Sequence, residues 1–168
     1  VNANGAGYAS FTFSVRDAVL FDAVPNSVTI NVTAVNDAPT GADTTITITE
    51  DVARTLTAAD FGFTDVDGDA LGAVRIDSLT LPAGATLQLS GVNVTATQVI
   101  LAASLPALVF TPAVNANGAG YASFTFSVRD AVLFDAVPNS VTINVTAVND
   151  APTATNLSAA ETYTQNTA

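Results

Sequence analysis

VNANGAGYASFTFSVRDAVLFDAVPNSVTINVTAVNDAPT, Val114–Thr153, decides the fold. Two segments within it alternate with a period of two. Ala122, Phe124, Phe126 and Val128 fall on one face of the first, and Val141, Ile143, Val145 and Ala147 on one face of the second, the pattern of half-buried strands. The same residues stand unchanged at Val1–Thr40, a shift of 113 positions. Drift scatters differences over an old duplication, so identity of this length implies recent copying or homogenisation. The period is that of a domain rather than of a short solenoid repeat. The chain is expected to be a window on a tandem array, starting inside one unit, crossing a complete one and stopping inside the next.

Outward from that stretch, short strand patterns recur between turn residues. Ile46 and Ile48 share one face while Thr45, Thr47 and Thr49 share the other. Further candidates are Val74–Leu81, Thr86–Leu89, Val92–Val94, Val99–Leu101 and Ala107–Thr111, with AADFGF as a turn or a single helical turn. No window carries a helical stripe. Seven or more strands in about 110 residues predict an all-β, Greek-key β-sandwich of immunoglobulin-like or cadherin-like type, repeated in tandem. VNDAP, at Val35–Pro39 and Val148–Pro152, has linker character, because Asn-Asp invites a turn and proline holds the residue before it extended. The boundaries predicted are 1–35 for the last two strands of a preceding unit, 36–148 for a complete unit, and 149–168 for a linker and the first strand of the next. In that tail AETYTQNTA aligns with TTITITEDVA of residues 44–53, placing Gln165 opposite Glu50 and Asn166 opposite Asp51.

Apolar residues make up 49% of the chain, enough for a packed core. The net charge is −11, with four arginines and no lysine, which argues against nucleic-acid or anionic-membrane partners and favours divalent cations. The most apolar stretch, Val99–Val114, is interrupted by Pro106 and Pro112 and reads as strand, turn, strand rather than a membrane span. With no His and no Cys, the usual catalytic triads, zinc sites and thiol nucleophiles are excluded, and the reading is non-enzymatic. Gly118-Ala119-Gly120 precedes a strand rather than a helix, so it is a loop or bulge and not a phosphate cradle.

The densest acidic cluster is Asp65-Val66-Asp67-Gly68-Asp69. Three carboxylates so close repel one another unless a cation is present, and calcium accepts six to eight oxygens at about 2.3–2.6 Å. An EF-hand is excluded, because the glycine falls at the fourth position and Ile76 at the twelfth. The alternative is a solvated acidic turn.

ITED (Ile48–Asp51), FTDVDGDALGAVRI (Phe63–Ile76), ASFTFSVRDA (Ala122–Ala131) and VTINVTAVNDAP (Val141–Pro152), in that order, resemble cadherin-type repeats. The similarity is closer still to the cadherin-like tandem domains of giant secreted bacterial adhesins. The resemblance implies calcium between consecutive domains. One junction would use Asn36, Asp37, Asp65, Asp67 and Asp130, with Asp69 in the same acidic loop. The other would use Glu50, Asn149 and Asp150, and Asp17 occupies the strand position of Asp130 in the first copy. Where cadherins carry a mid-domain acidic triplet this chain reads VNANGAGYAS, which implies one or two ions per junction rather than three.

The function so implied is a structural extender repeat of an extracellular or cell-surface bacterial adhesin, contacting adjacent repeats and stiffened by calcium. The alternatives are a carbohydrate- or protein-binding sandwich module, for which the tyrosines Tyr8, Tyr121 and Tyr163 supply few aromatic anchors, and an accessory domain of a secreted enzyme. Residues 1–35 lack their first strands. They are expected to pair with another molecule, pack as an incomplete lobe or remain mobile. Exchange into the chain's own sandwich is not expected, because the strand ends to be joined should lie ~40 Å apart and a six-residue linker spans ~20 Å.

Overall fold

The computed structural model describes residues 3–152, so the reading of Gln165 and Asn166 lies outside the described residues. Eleven strands form three sheets among them. A five-stranded sheet has the order β3-β11-β10-β5-β8, with β3 at Thr44–Thr49, β5 at Ala73–Thr80, β8 at Gln98–Leu101, β10 at Gly118–Arg129 and β11 at Asn139–Thr146. Facing it is a four-stranded sheet, β4-β9-β6-β7, made of Arg54–Thr55, Leu108–Thr111, Thr86–Leu89 and Val92–Asn93. This is the Greek-key β-sandwich of the sequence pattern. β1 (Gly5–Phe13) and β2 (Asn26–Val32) make a separate two-stranded sheet.

The long hairpin β10–β11 fills the centre of the larger sheet. Phe124, Phe126, Val128, Val141 and Ile143 are at most 1% exposed and pack with Phe110, Leu87, Leu56 and Phe61 from the other side. Phe61 stands edge-on to Phe126 at 5.0 Å, a favourable ring geometry. It arrives on AADF (Ala58–Phe61), a 3-10 turn whose first turn is closed by Asp60 accepting from the Thr57 N–H at 2.7 Å. A second 3-10 turn at Ala102–Ala107 joins β8 to β9 and buries Leu105, where the pattern suggested a plain turn.

Two expectations are corrected. Ala147 lies past the end of β11 and is exposed, because the chain there turns into the linker. The separation invoked for residues 1–35 is also too large. β3 runs parallel to β11, in register from Thr44 opposite Val141 to Thr49 opposite Thr146, so the start of one and the end of the other are only about 17 Å apart along the strands. The first hairpin nevertheless stays outside the sandwich. Its slot between β3 and β5 is filled by the identical β10–β11, and its linker is tied at the far pole by the Thr40–Thr64 bridge and by Gly41 N–H donating to Asp135 Oδ2 at 2.8 Å.

Candidate functional site: two polar joints at the poles of the sandwich

The first joint gathers the linker, the acidic loop and the turn after β10. Asp130 is fully buried. Its Oδ1 accepts the N–H groups of Val132 and Leu133, closing the turn, and its Oδ2 accepts from the Asn36 amide at 3.0 Å. The same amide reaches the carbonyl of Asp37 at 3.0 Å, which bends the linker. Burial acts to raise the pKa of Asp130, but the bonds from Asn36, Val132 and Leu133 and the charge of Arg129 outweigh it and hold the carboxyl below its usual range. Asp17, in the identical turn of the first hairpin, is lowered by the N–H groups of Leu20 and Val19 alone. The turn is therefore intrinsic to the sequence, and the Asn36 bond is what the joint adds.

The acidic loop is folded by its own first residue. Asp65 Oδ1 accepts from the N–H groups of Asp67, at 2.8 Å, and Asp69, at 3.1 Å, and Gly68 supplies the positive φ of 85°. Asp67 Oδ2 then accepts the Asp37 N–H at 2.7 Å, so the loop grips the linker. The other Asp65 oxygen, Oδ2, is shut off from water and has no hydrogen-bond partner. A bare buried carboxylate oxygen is costly unless a cation meets it. The carboxylate of Asp69 is exposed, and only its N–H takes part.

The second joint lies at the opposite pole. Glu50 is 5% exposed. Its Oε1 accepts the Val148 N–H at 2.6 Å and its Oε2 the Asn117 amide at 2.9 Å, and these two bonds, in that order, lower its pKa against the opposing effect of burial. Asp51, in the left-handed region with φ 62°, accepts the Asn115 N–H at 2.9 Å. With its amide nitrogen turned toward them, Asn115 also donates to Asp51 Oδ2 and Asp150 Oδ2, each at 3.1 Å. Asn149 donates to the Asp150 carbonyl at 3.4 Å, repeating what Asn36 does at Asp37.

The predicted residues thus fall into the two expected groups, one per pole. Asn36, Asp37, Asp65, Asp67 and Asp130 meet at the first, and Glu50, Asn149 and Asp150 at the second. Hydrogen bonds link the first set directly, whereas at the second Glu50 holds the Val148 N–H and Asp150 is reached through Asn115. Among the described residues no three Asp or Glu side chains lie close enough to form a metal-holding group. The orphaned Asp65 Oδ2 is a hard oxygen donor of the kind a cation such as calcium takes. Sequence reasoning missed Asn115, Asn117 and Asp135. The two asparagines stand where acids were looked for. Asn115 sits in a turn with φ 55°, a left-handed conformation that asparagine tolerates, and Asn-Ala-Asn ahead of the strand was the available signal.

No curated protein matches the chain. Among solved structures, domains 4 and 5 of the S-layer protein SbsC align over 83% of this chain and 58% of their own, at 15% identity and a TM-score of 0.36. The endo-fucoidan hydrolase MfFcnA4, from glycoside hydrolase family 107, aligns over 88% of this chain and 19% of its own, at 23% identity and a TM-score of 0.37. The chain therefore spans less than two thirds of either. A family profile described as the bacterial Ig domain matches residues 36–146, more than half of the chain and the whole of the sandwich. The chain belongs to the bacterial Ig domain family.

Proposed function

We propose that this chain is a structural spacer: an extender repeat of a large secreted or surface-attached bacterial adhesin, non-catalytic, with calcium stiffening its joints. The observation that carries the reading is the first joint, where a linker that recurs unchanged is hydrogen-bonded to Asp130 and Asp67 beside the unpartnered Asp65 Oδ2. Asp65, Asp67, Asp130, Asn36 and Asp37 would hold an ion there, and Glu50, Asn149 and Asp150 would contribute to the next. A bound cation would supply positive charge to the carboxylates of the joint and draw linker and loop closer together. The family match supports a domain used as a module, and the repeated sequence supports selection for number and length. That the described residues contain no helix long and apolar enough to cross a membrane bears only on helical spans. The alternative of a ligand-binding module is the weaker one for the complete unit. Tyr121 is half-buried, its ring lies edge-on to Phe110 and its hydroxyl accepts the Ala113 N–H at 3.1 Å.

The test is thermal melting and small-angle scattering in EGTA and in millimolar calcium, with Asp67→Ala as control. Binding to the folded state alone adds RT ln(1 + [L]/Kd), about 2.7 kcal/mol at one hundred times Kd. Calcium should raise the Tm and lengthen the particle, and the variant should lose both effects. No change in either quantity overturns the calcium-stiffened spacer in favour of a solvated acidic turn.

A further inference from the structure

The two hairpins are the same object in different surroundings. β1 pairs with β2 as β10 pairs with β11, residue for residue, from Gly5 opposite Val32 to Phe13 opposite Asn26, with the same bulge near the first pair. Asn31 accepts the Gly7 N–H at 2.7 Å, as Asn144 accepts that of Gly120 at 2.7 Å. What covers them differs, and with it strand length: β10 runs on to Arg129 beside β5, whereas β1 ends at Phe13. Phe11, Phe13, Val28 and Ile30 are 54%, 40%, 37% and 44% exposed, whereas Phe124, Phe126, Val141 and Ile143 do not exceed 1%. Among the described residues the first hairpin therefore presents an open apolar face and two edges that pair with no further strand.

We propose that residues 5–32 are a docking surface for one partner: a β-lobe with the sequence of residues 41–113, joined ahead of the hairpin in the same polypeptide. Two observations select this occupant. The complementary surface is already in the structure, since residues 41–113 are what covers β10–β11. The connector that leads β9 into β10, Val114–Asn117, is also repeated as Val1–Asn4. The register follows from the complete unit. A strand like β5 lies antiparallel to β1, with its Leu79 opposite Phe11 and its Ile76 opposite Phe13. A strand like β3 lies parallel to β2, with its Thr44 opposite Val28 and its Ile46 opposite Ile30. A second copy of this chain is not the occupant. Each copy carries two hairpins and one lobe, so exchange between copies uncovers as many hairpins as it covers.

The chain has no cysteine, so one introduced thiol reports on its own site. The experiment compares the 168-residue chain with the same chain carrying a further copy of residues 41–113 ahead of Val1, in EGTA so that the outcome is independent of calcium. Val28→Cys should label quickly in the first. In the second it should slow by about 100-fold or more, toward the rate of Val141→Cys in the filled sandwich, independently of concentration. Ala18→Cys, in an exposed turn, should stay reactive in both. Without any cysteine, the extended chain should show a second cooperative unfolding event, read as about twice the unfolding amplitude at a similar m-value per unit. The proposal is overturned if Val28→Cys stays as reactive as Ala18→Cys, or if the added residues bring no cooperative unfolding. It is also overturned if Val28→Cys is already slow in the 168-residue chain and slows further with concentration, because a second copy is then the occupant.

Discussion

Gly72 is where the first joint is most sensitive to a single atom. A Cβ there would lie 2.3 Å from the carbonyl oxygen of Asp130, a backbone atom with no rotamer to escape through. The glycine also donates to the Arg129 carbonyl at 2.8 Å, so it cannot retreat without breaking that bond. Gly72→Ala should destabilise the unit by about 1–3 kcal/mol in denaturant unfolding, through overpacking rather than lost charge. The joints also have a pH signature. Asp130 and Glu50 have lowered pKa values in the folded chain, so on acidification the unfolded state takes up protons first. Their stabilisation is complete at neutral pH and is lost as pH falls below about 4 and on through the folded values. Relief of the net charge of −11 acts in the opposite direction on acidification. Glu50→Gln separates the two, since it should flatten the acid limb of a Tm-against-pH curve while leaving the charge effect.

At the scale of elements, the chain contains its own control experiment. Phe11 and Phe124 have identical sequence neighbours, yet one is 54% exposed and the other 1%. Phe124→Ala should cost about 3–5 kcal/mol in equilibrium unfolding of the sandwich, and Phe11→Ala no more than about 0.5 kcal/mol. Equal effects would mean that the first hairpin is packed in solution. The same pair shows what was legible in the sequence. Alternation identified β10 and β11 and the inward set Phe124, Phe126, Val128, Val141 and Ile143, because period two fixes which side chains share a face. It did not foresee that Ser127, on the other face, is fully buried. The Ser127 hydroxyl donates to Asp77 at 2.7 Å, Arg75 donates to Asp77, and Phe134 lies over Arg75 at 4.7 Å and Arg129 at 5.3 Å, so a loop roofs this part of the sheet. Such cover comes from residues remote in sequence, and no local pattern announces it. The joints were half legible for the same reason. The acids stand out by charge, whereas Asn115 and Asn117 matter only because β10 begins beside Glu50 and Asp51.

For the whole molecule, the joints and the sandwich divide the work. The core resides between the sheets, with Asp60 beside it and Asp77 bonded to Ser127 on the outer face, while the acids of the two joints gather at the poles of the sandwich. Composition announced the acidity but not its partition, which depends on where strands end. Because Asn36 and Asp37 at one linker and Val148 at the other are all hydrogen-bonded to the complete unit, bending at a linker has to break hydrogen bonds on a folded body. The parallel pairing of β3 and β11 has a further consequence, under tension. The chain enters the unit at the start of β3 and leaves at the end of β11, and these ends lie at opposite poles of neighbouring strands. A pull along the polypeptide slides the two strands past each other and loads all six registered pairs, Thr44–Val141 to Thr49–Thr146, at once instead of peeling them one by one. A row of such units resists stretching as a clasp in shear, and each holds until the whole row of bonds gives way together.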